Sequence, residues 1–158
     1  MKIHHMLGFT LTELLITIAV VGILAAIAIP SFTATLQKNK ISQAAEGIRN
    51  DLSWAKTVAI KESCPIAVEF VTGAEWSYSI TPCLDGERAQ GDIGQVVIDS
   101  TTLADDTVSY DFRRGESNTG SILLSTSLYS LNIAILSSYE MTICSPITAR
   151  SVGAYSAC

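Results

Sequence analysis

The chain has 158 residues, 48% of them hydrophobic and 16% charged, which is too apolar for a disordered protein and long enough for one globular domain. Lys and Arg number 10 against 15 Asp and Glu, a net charge of -5 that excludes a broadly basic surface for nucleic acid.

A long apolar run begins close to the N-terminus. From Gly8 to Gln37 the only ionisable side chain is that of Glu13, and the segment from Leu14 to Ile29 is uncharged throughout. Residues 9–32 supply the roughly 20 residues that a helix needs to cross a bilayer core of about 30 Å. The run therefore predicts a membrane-spanning helix or a secretion signal.

Two ordinary explanations of this run conflict with Glu13. A secretory signal peptide would use Ala26-Ile27-Ala28 as its A-x-A cleavage site, but such peptides rarely place a carboxylate at the start of their apolar region. A plain membrane anchor would leave the Glu13 carboxylate unpaired, at a cost of about 2 to 3 kcal/mol at the bilayer centre. The function of the segment therefore depends on how Glu13 is accommodated.

The residues around Glu13 resemble a known processing signal. Met1 to Gly8, followed by Phe9-Thr-Leu-Thr-Glu13-Leu-Leu, resembles the class III signal of type IV prepilins and pseudopilins, in which a short leader ends in Gly and Glu is the fifth mature residue. The resemblance implies cleavage between Gly8 and Phe9 by a prepilin peptidase, N-methylation of the Phe9 amine, and extraction by an inner-membrane assembly platform into a filament of such subunits. Thr12 departs from the pattern, since an aliphatic residue is commoner there.

Glu13 and Pro30 are the candidate assembly and kink residues of this helix. A carboxylate in an apolar phase is tolerated when it is paired, and in a bundle of such helices the amine of Phe9 on a neighbouring subunit supplies the partner. Glu13 would then set the depth of each subunit. Pro30 has no N–H for helical hydrogen bonding, which predicts a kink or local melting there.

The apolar helix is predicted to continue into an amphipathic one. Residues 9–30 form the predicted transmembrane and filament-core helix and residues 31–63 the amphipathic helix, which Pro65 ends. Residues 1–8 are the leader and residues 64–158 the periplasmic domain, so the resemblance implies a single-pass inner-membrane protein that later joins a pilus or pseudopilus. The predicted core face of the second helix consists of Ile41, Ala44, Ile48, Leu52, Ala55 and Ala59.

Short alternating segments separated by turn residues follow the helix and predict an antiparallel sheet. Together with the long helix they give an α+β, pilin-like fold, in which half of the helix spans the membrane and half packs on the sheet. The predicted strands lie at residues 66–71, 76–80, 96–98, 108–112, 121–124, 131–136 and 139–144.

Four cysteines allow three disulfide pairings. If residues 66–71 and 76–81 form a hairpin centred on Gly73 and Ala74, facing positions have numbers that sum to about 147, which places Cys64 opposite Cys83 within disulfide range. Cys144 is then left for Cys158, where a bridge would hold a tail that otherwise frays. The alternative is a zinc site built from all four thiolates, although no C-x-x-C pair is present.

Two later segments resemble one subgroup of this family. Ile48 to Glu62 resembles the end of the long helix in the GspH/FimT minor pseudopilins, and Phe112 to Gly120 resembles the turn before the penultimate strands of that family. The resemblance implies a minor pilin or pseudopilin that helps to initiate or cap a filament of a type IV pilus or a type II secretion system. A major pilin subunit is the alternative.

A pilus-associated DNA-binding protein for DNA uptake is a second alternative. Some proteins related to FimT bind DNA through a C-terminal G-R-x-R-like segment, but here the equivalent residues, Ala149-Arg150-Ser151-Val152, lack the Gly and the second Arg. Arg113, Arg114 and Arg150 are the candidates for a small basic patch, and solubilising surface arginines explain them as well.

No catalytic, cofactor or metal site is predicted. Removal of the leader takes away His4 and His5, the only histidines, so a Ser-His-Asp triad cannot form, and no G-x-S-x-G, P-loop or H-E-x-x-H motif occurs. The acidic segment from Asp85 to Asp92 lacks the spacing of a calcium loop and is predicted to be a solvated turn. The chain is therefore predicted to function by assembly, not as an enzyme.

Overall fold

The computed structural model describes residues 9–81, 95–136 and 140–158 with their side chains and residues 88–91 as main chain. The chain divides into two compact units, one ending at Thr35 and one running from Leu36 to Cys158. A single helix of 52 residues, α1 (Leu11–Glu62), supplies most of the described part of the first unit and the first element of the second.

α1 runs without interruption through Pro30 and ends shortly before Pro65. The local melting predicted at Pro30 is wrong, because one missing N–H removes a single bond from a long helical ladder; the kink stays a prediction. At the C-terminal end Ser63 adopts a left-handed conformation with φ 55°, and the N–H of Cys64 donates to the carbonyl of Ala59 at 3.2 Å. This Schellman closure satisfies a carbonyl that the end of the helix would otherwise leave unpaired.

One face of α1 is buried in the second unit. All six predicted core positions, from Ile41 to Ala59, are at most 1% exposed, so the predicted face is confirmed. The sequence pattern missed Ala45, which is fully buried beside Ala44. Four of the seven buried residues are alanines, which leave room in the core for larger side chains.

The strands form two antiparallel sheets, so the prediction of a single sheet is wrong. The strand orders are β3-β2-β1-β5 and β4-β6-β7-β8 among the residues that the structure describes. Alternation along one strand reports which face is buried but not which distant strand is its partner. The strands are β1 (Ile66–Val71), β2 (Ser77–Thr81), β3 (Arg88–Gly91), β4 (Val97–Thr101), β5 (Thr107–Tyr110), β6 (Gly120–Ser125), β7 (Ser130–Leu136) and β8 (Glu140–Cys144).

All seven predicted strands are present, and their ends differ from the prediction by a few residues. β4 extends to Thr101 through a bulge between Ile98 and Ser100, whereas β5 stops at Tyr110 because Asp111 enters a turn. β3 was not predicted. Its sequence, Arg-Ala-Gln-Gly, contains no β-branched or aromatic residue, so its pairing with β2 and not its propensity makes it a strand.

The register of β1 and β2 differs by one residue from the predicted one. Val68 faces Ile80 and Phe70 faces Tyr78, pairs whose numbers sum to about 148. Facing residues lie on the same side of a sheet, so this register puts all four apolar side chains in the core, where each is at most 5% exposed. The predicted register is wrong because it would oppose the buried Val68 to Ser79, on the other side of the sheet.

The two sheets and α1 enclose one hydrophobic core. Trp76 is 1% exposed, and its indole N–H donates to the carbonyl of Val96 at 2.8 Å, which ties the turn after β1 to the start of β4. The N–H of Gly73, in the same turn, donates to the carbonyl of Ile98 at 2.9 Å. Both contacts join the two sheets through segments that are distant in sequence.

The C-terminal tail is held against β8 and α1. Cys144 forms a disulfide with Cys158, the pairing that the sequence predicts. The N–H of Cys158 donates to the carbonyl of Ser145 at 3.0 Å, and Val152 is fully buried. The Tyr155 hydroxyl donates to Glu46 on α1 at 3.3 Å, and burial, reinforced by this carboxylate, raises the pKa of Tyr155. The tail is therefore an integral part of the domain.

The zinc alternative is wrong, because at least three of its thiolates are used in disulfides. Cys64 is disulfide-bonded, as are Cys144 and Cys158. Cys83 lies outside the described residues, so its predicted bond to Cys64 stays a prediction.

We expect the change of both Cys144 and Cys158 to Ser to lower the free energy of unfolding by about 3 kcal/mol, because the bond closes a loop of about 15 residues in the unfolded chain. The measurement is guanidinium unfolding of the full chain in detergent, followed by the near-ultraviolet circular dichroism of its two tryptophans. A loss below about 0.5 kcal/mol, the usual range for a neutral surface change, would show that Val152 and Tyr155 hold the tail without the bond.

Candidate functional site

The N-terminal end of α1 begins with a hydrogen-bonded cap. Thr10 precedes the first helical residue, and its hydroxyl accepts a hydrogen bond from the N–H of Glu13 at 3.2 Å. The carbonyl of Thr10 accepts the first helical bond, from the N–H of Leu14, also at 3.2 Å. Thr10-Leu-Thr-Glu13 thus has the T-x-x-E pattern of a capping box, with Glu13 in the third helical position.

The sequence reasoning missed the role of Thr10, although the T-x-x-E signal was there to find. The position of Glu13 in the first turn of α1 also gives a local reason for an acid there. A carboxylate in the first turn lies near the positive end of the helix dipole, which stabilises a negative charge by about 0.3 to 1 kcal/mol when it is exposed. Glu13 is exposed in the described chain, and the next basic residue after it along the sequence is Lys38.

The helix that follows presents apolar side chains on every side. Large hydrophobic residues from Leu11 to Phe32 are between 49% and 76% exposed, and Phe9 is 78% exposed. Within the most apolar stretch of this helix none of the side chains is buried. By length and composition α1 can cross a membrane.

Two hydroxyl groups in this stretch donate to carbonyls of the helix itself. Thr17 donates to the carbonyl of Leu14 at 2.8 Å, and Thr33 donates to the carbonyl of Pro30 at 3.0 Å. A polar group that is already hydrogen-bonded costs much less to place in an apolar phase than an unpaired one. The segment can therefore be surrounded by lipid or by other helices without an unpaired threonine at these two positions.

The three candidate arginines do not form one patch. The turn that holds Arg113 and Arg114 packs on α1 through Gly115, where a Cβ would lie 2.8 Å from Ile60. Arg150 instead lies over the ring of Tyr129, with 5.4 Å between the guanidinium carbon and the ring centroid.

The turn before Tyr129 contacts α1 at Gln37, since Ser127 donates to Gln37 at 3.0 Å. Gln37 and Ile60 are separated by about 35 Å along the helix. Arg114 also pairs with Glu116 at 3.6 Å. The DNA-binding alternative therefore loses the basic cluster on which it depended.

The remaining predicted positions lie partly outside the described residues. Gly8, at the predicted cleavage site, is not described, and neither are Asp85, Glu87 and Asp92 of the acidic segment. Within the described parts of the chain, no group of three or more His, Cys, Asp or Glu side chains is arranged to hold a metal ion.

Substitution of Thr10 by Ala should weaken the first turn of α1 by about 1 kcal/mol, because the N–H of Glu13 loses its acceptor. We expect the amide hydrogens of residues 11–14 to exchange about fivefold faster in detergent micelles, measured by NMR. Thr12→Ala is the matched control, since the Thr12 hydroxyl contacts only the Thr10 side chain, at 3.2 Å. Equal exchange rates in the two variants would contradict the capping role of Thr10.

Comparison with known proteins supports the interpretation of this N-terminal segment. Residues 4–29 match the family model of the prokaryotic N-terminal methylation motif. A fimbrial protein of Moraxella nonliquefaciens is 45% identical over 49 residues, which are 29% of this chain and 32% of that protein. The match therefore spans about a third of the relative's length. No solved structure matches the chain significantly.

The motif, the apolar helix and the sheets belong together in one architecture. The matched residues 4–29 include the exposed part of α1, and the helix continues into an antiparallel β domain. A long N-terminal helix followed by such a domain is the α+β fold that the sequence predicted. These observations are consistent with a pilin-like protein, and pilins are a structural, non-enzymatic family.

Proposed function

We propose that this chain is a minor pilin or pseudopilin of the GspH/FimT type, which helps to initiate or cap the filament of a type IV pilus or a type II secretion system. The observation that carries the proposal is the apolar surface of α1 from Leu11 to Phe32, which no described part of the chain covers. This surface needs an apolar environment, first the bilayer and then the other helices of a filament.

Burial of this surface supplies the driving force both for membrane insertion and for packing in a filament. Covering one Val, Leu, Ile or Phe side chain stabilises by about 1.5 to 3 kcal/mol, and a dozen such side chains from Leu11 to Phe32 are exposed. Lipid chains and neighbouring helices are equally apolar, so moving the helix from lipid into a filament changes the free energy of burial little. Polar contacts must therefore decide which helix packs at which depth.

Glu13 supplies the polar contact that selects the depth. Cleavage between Gly8 and Phe9 creates a new amine four residues before this carboxylate, and N-methylation keeps it basic. In a bundle, the amine of one subunit pairs with Glu13 of its neighbour, and a misplaced subunit leaves a desolvated charge unpaired. The pairing acts between chains, which agrees with the exposure of Glu13 in the single chain.

Two segments support the assignment as a minor subunit. Residues 48–62, which resemble the GspH/FimT helix end, form the last part of α1, and residues 112–120 resemble the turn before its penultimate strands. The two segments meet where Gly115, with φ 64°, packs against Ile60. If the chain is instead a major pilin, it should be the most abundant subunit of the filament.

This function requires three kinds of partner and a location in the inner membrane. A prepilin peptidase removes residues 1–8, an inner-membrane assembly platform extracts the subunit, and other pilin or pseudopilin subunits surround its helix. Before assembly the protein is a single-pass inner-membrane protein with a periplasmic domain from residue 64 onward.

Mass spectrometry of the native protein tests processing and location together. We expect the N-terminal peptide to begin at N-methylated Phe9, both in the cell envelope and in the filaments that mechanical shearing releases. The same peptide confined to the envelope would favour a secretion pseudopilus or a complex at the filament base. An N-terminus after Ala28, or a retained leader, would exclude the pilin function. The amount of this protein relative to the main filament subunit distinguishes a minor from a major pilin.

Glu13→Val is expected to insert into the membrane normally but to enter filaments about tenfold less or worse, because loss of one partner of a buried ion pair costs about 3 to 5 kcal/mol. The measurement is the fraction of the protein in sheared filaments relative to the envelope.

Thr12→Val is the matched control, since it places the same side chain on the same turn and keeps the carboxylate. Normal incorporation of Glu13→Val would contradict the pairing with Phe9. Equal losses in both variants would show that the helix packs too tightly there for valine, and would also remove the argument for the ion pair.

A further inference from the structure

We propose that one end of the second unit binds the anionic phospholipid headgroups of the bilayer in which α1 is anchored. The surface consists of Lys38, Lys40, Leu128 and Arg150 and is called the basic rim. The proposal rests on the membrane anchoring proposed above and adds to it a second contact, made by the folded domain before the subunit is extracted.

The basic rim begins six residues after Phe32, the last residue of the apolar segment. Lys38 is the first charged residue after Glu13, and it lies about 9 Å along the helix beyond Phe32. Basic side chains at the end of a membrane span typically reach into the headgroup layer. Lys38 and Lys40 can therefore reach the headgroups, and the residues that contact this turn of the helix can share that contact.

A tight turn between β6 and β7 presents an aliphatic side chain at this level. The Ser127 hydroxyl donates to Gln37 at 3.0 Å, which fixes the turn beside the helix. The N–H of Thr126 donates to the carbonyl of Tyr129 at 2.8 Å, and the N–H of Tyr129 donates to the Thr126 hydroxyl at 3.0 Å. These bonds hold the turn while Leu128, at its tip, stays 41% exposed.

Three basic side chains surround this turn of the helix. Arg150 lies over the ring of the buried Tyr129, next to Leu128. The Nζ atom of Lys38 lies 3.8 Å from the point where a Cβ on Gly153 would be. Lys40 donates to the side chain of Gln95 at 3.3 Å. The cations are thus placed by three different segments of the domain, each in contact with α1 or with its lysines.

The charge of the basic rim is opposite to that of the whole chain. The chain carries 15 acidic against 10 basic residues, yet residues 36–40, 95–97, 125–130 and 145–153 contain three basic residues and no Asp or Glu. Basic residues next to an exposed aliphatic side chain suit an interface with anionic lipid, where each cation near the surface strengthens binding by about fivefold.

Site-specific photo-crosslinking of the full chain in lipid vesicles tests the proposal. The photoreactive residue p-benzoylphenylalanine replaces Leu128, and the vesicles are pure phosphatidylcholine or an equal mixture with phosphatidylglycerol. Leu136 is the matched control position, since it is 49% exposed and lies at the other end of β7, about 20 Å from Ser130. We expect lipid adducts at position 128 and not at 136, with at least a tenfold higher yield in the anionic vesicles.

Two charge variants with equal net charge identify the contribution of the basic rim. Lys38→Gln, Lys40→Gln and Arg150→Gln together should reduce the adduct at position 128 at least tenfold in anionic vesicles. Lys61→Gln, Arg113→Gln and Arg114→Gln together remove the same charge elsewhere and should leave the yield unchanged. The near-ultraviolet circular dichroism of the two tryptophans reports whether each variant is folded.

The outcomes separate failure of this proposal from failure of the membrane anchor. A photoreactive residue at Ile18 must form lipid adducts if α1 is anchored, and their absence would overturn the anchoring and this proposal together. Adducts at 18 without an excess at 128 over 136, or a yield at 128 that ignores lipid charge, would overturn the lipid surface alone. A gel shift of duplex DNA that only the rim variant loses, without a lipid effect, would assign the rim to nucleic acid instead.

Discussion

The apolar surface of α1 between Leu11 and Phe32 is the constraint on which the rest of the molecule depends. Nothing among the described residues covers it, and exposed apolar area of this size is stable only in contact with lipid or with other helices. The same helix must also begin a folded domain at Leu36. The chain meets both demands with one continuous helix, whose residues change from apolar on all sides to apolar on one face.

The second part of the helix is covered by strands that reach it from distant parts of the sequence. Alanines occupy four of its seven buried positions, and Trp76 joins the two sheets through the carbonyl of Val96. The tail is secured by the bond between Cys144 and Cys158 and by the burial of Val152. A domain of this size has a modest core, so a covalent bond at its last residue adds a useful share of its stability.

Local periodicity was enough to predict α1 and its buried face, because a helix repeats every 3.6 residues whatever its partners are. Seven strands followed from alternation and turn residues in the same way. The one-residue error between β1 and β2 arose from counting across a turn, whereas the parity of the buried residues Val68, Phe70, Tyr78 and Ile80 already favoured the observed register. The second sheet and β3 depend on partners chosen over long distances, which no local pattern contains.

The basic residues show most clearly why a site can differ from its sequence pattern. Arg113 and Arg114 are adjacent in sequence, but their turn packs near Ile60, far along α1 from the turn that supports Arg150. In the sequence Lys38 and Lys40 look like ordinary solvated helix residues, and only the folded β6–β7 turn and the tail bring Leu128 and Arg150 to the same end of the domain. Net charge describes the average surface, whereas a binding partner meets only one side of the domain. An acidic domain can therefore bind an anionic membrane, provided that its cations surround the point where the helix leaves the lipid.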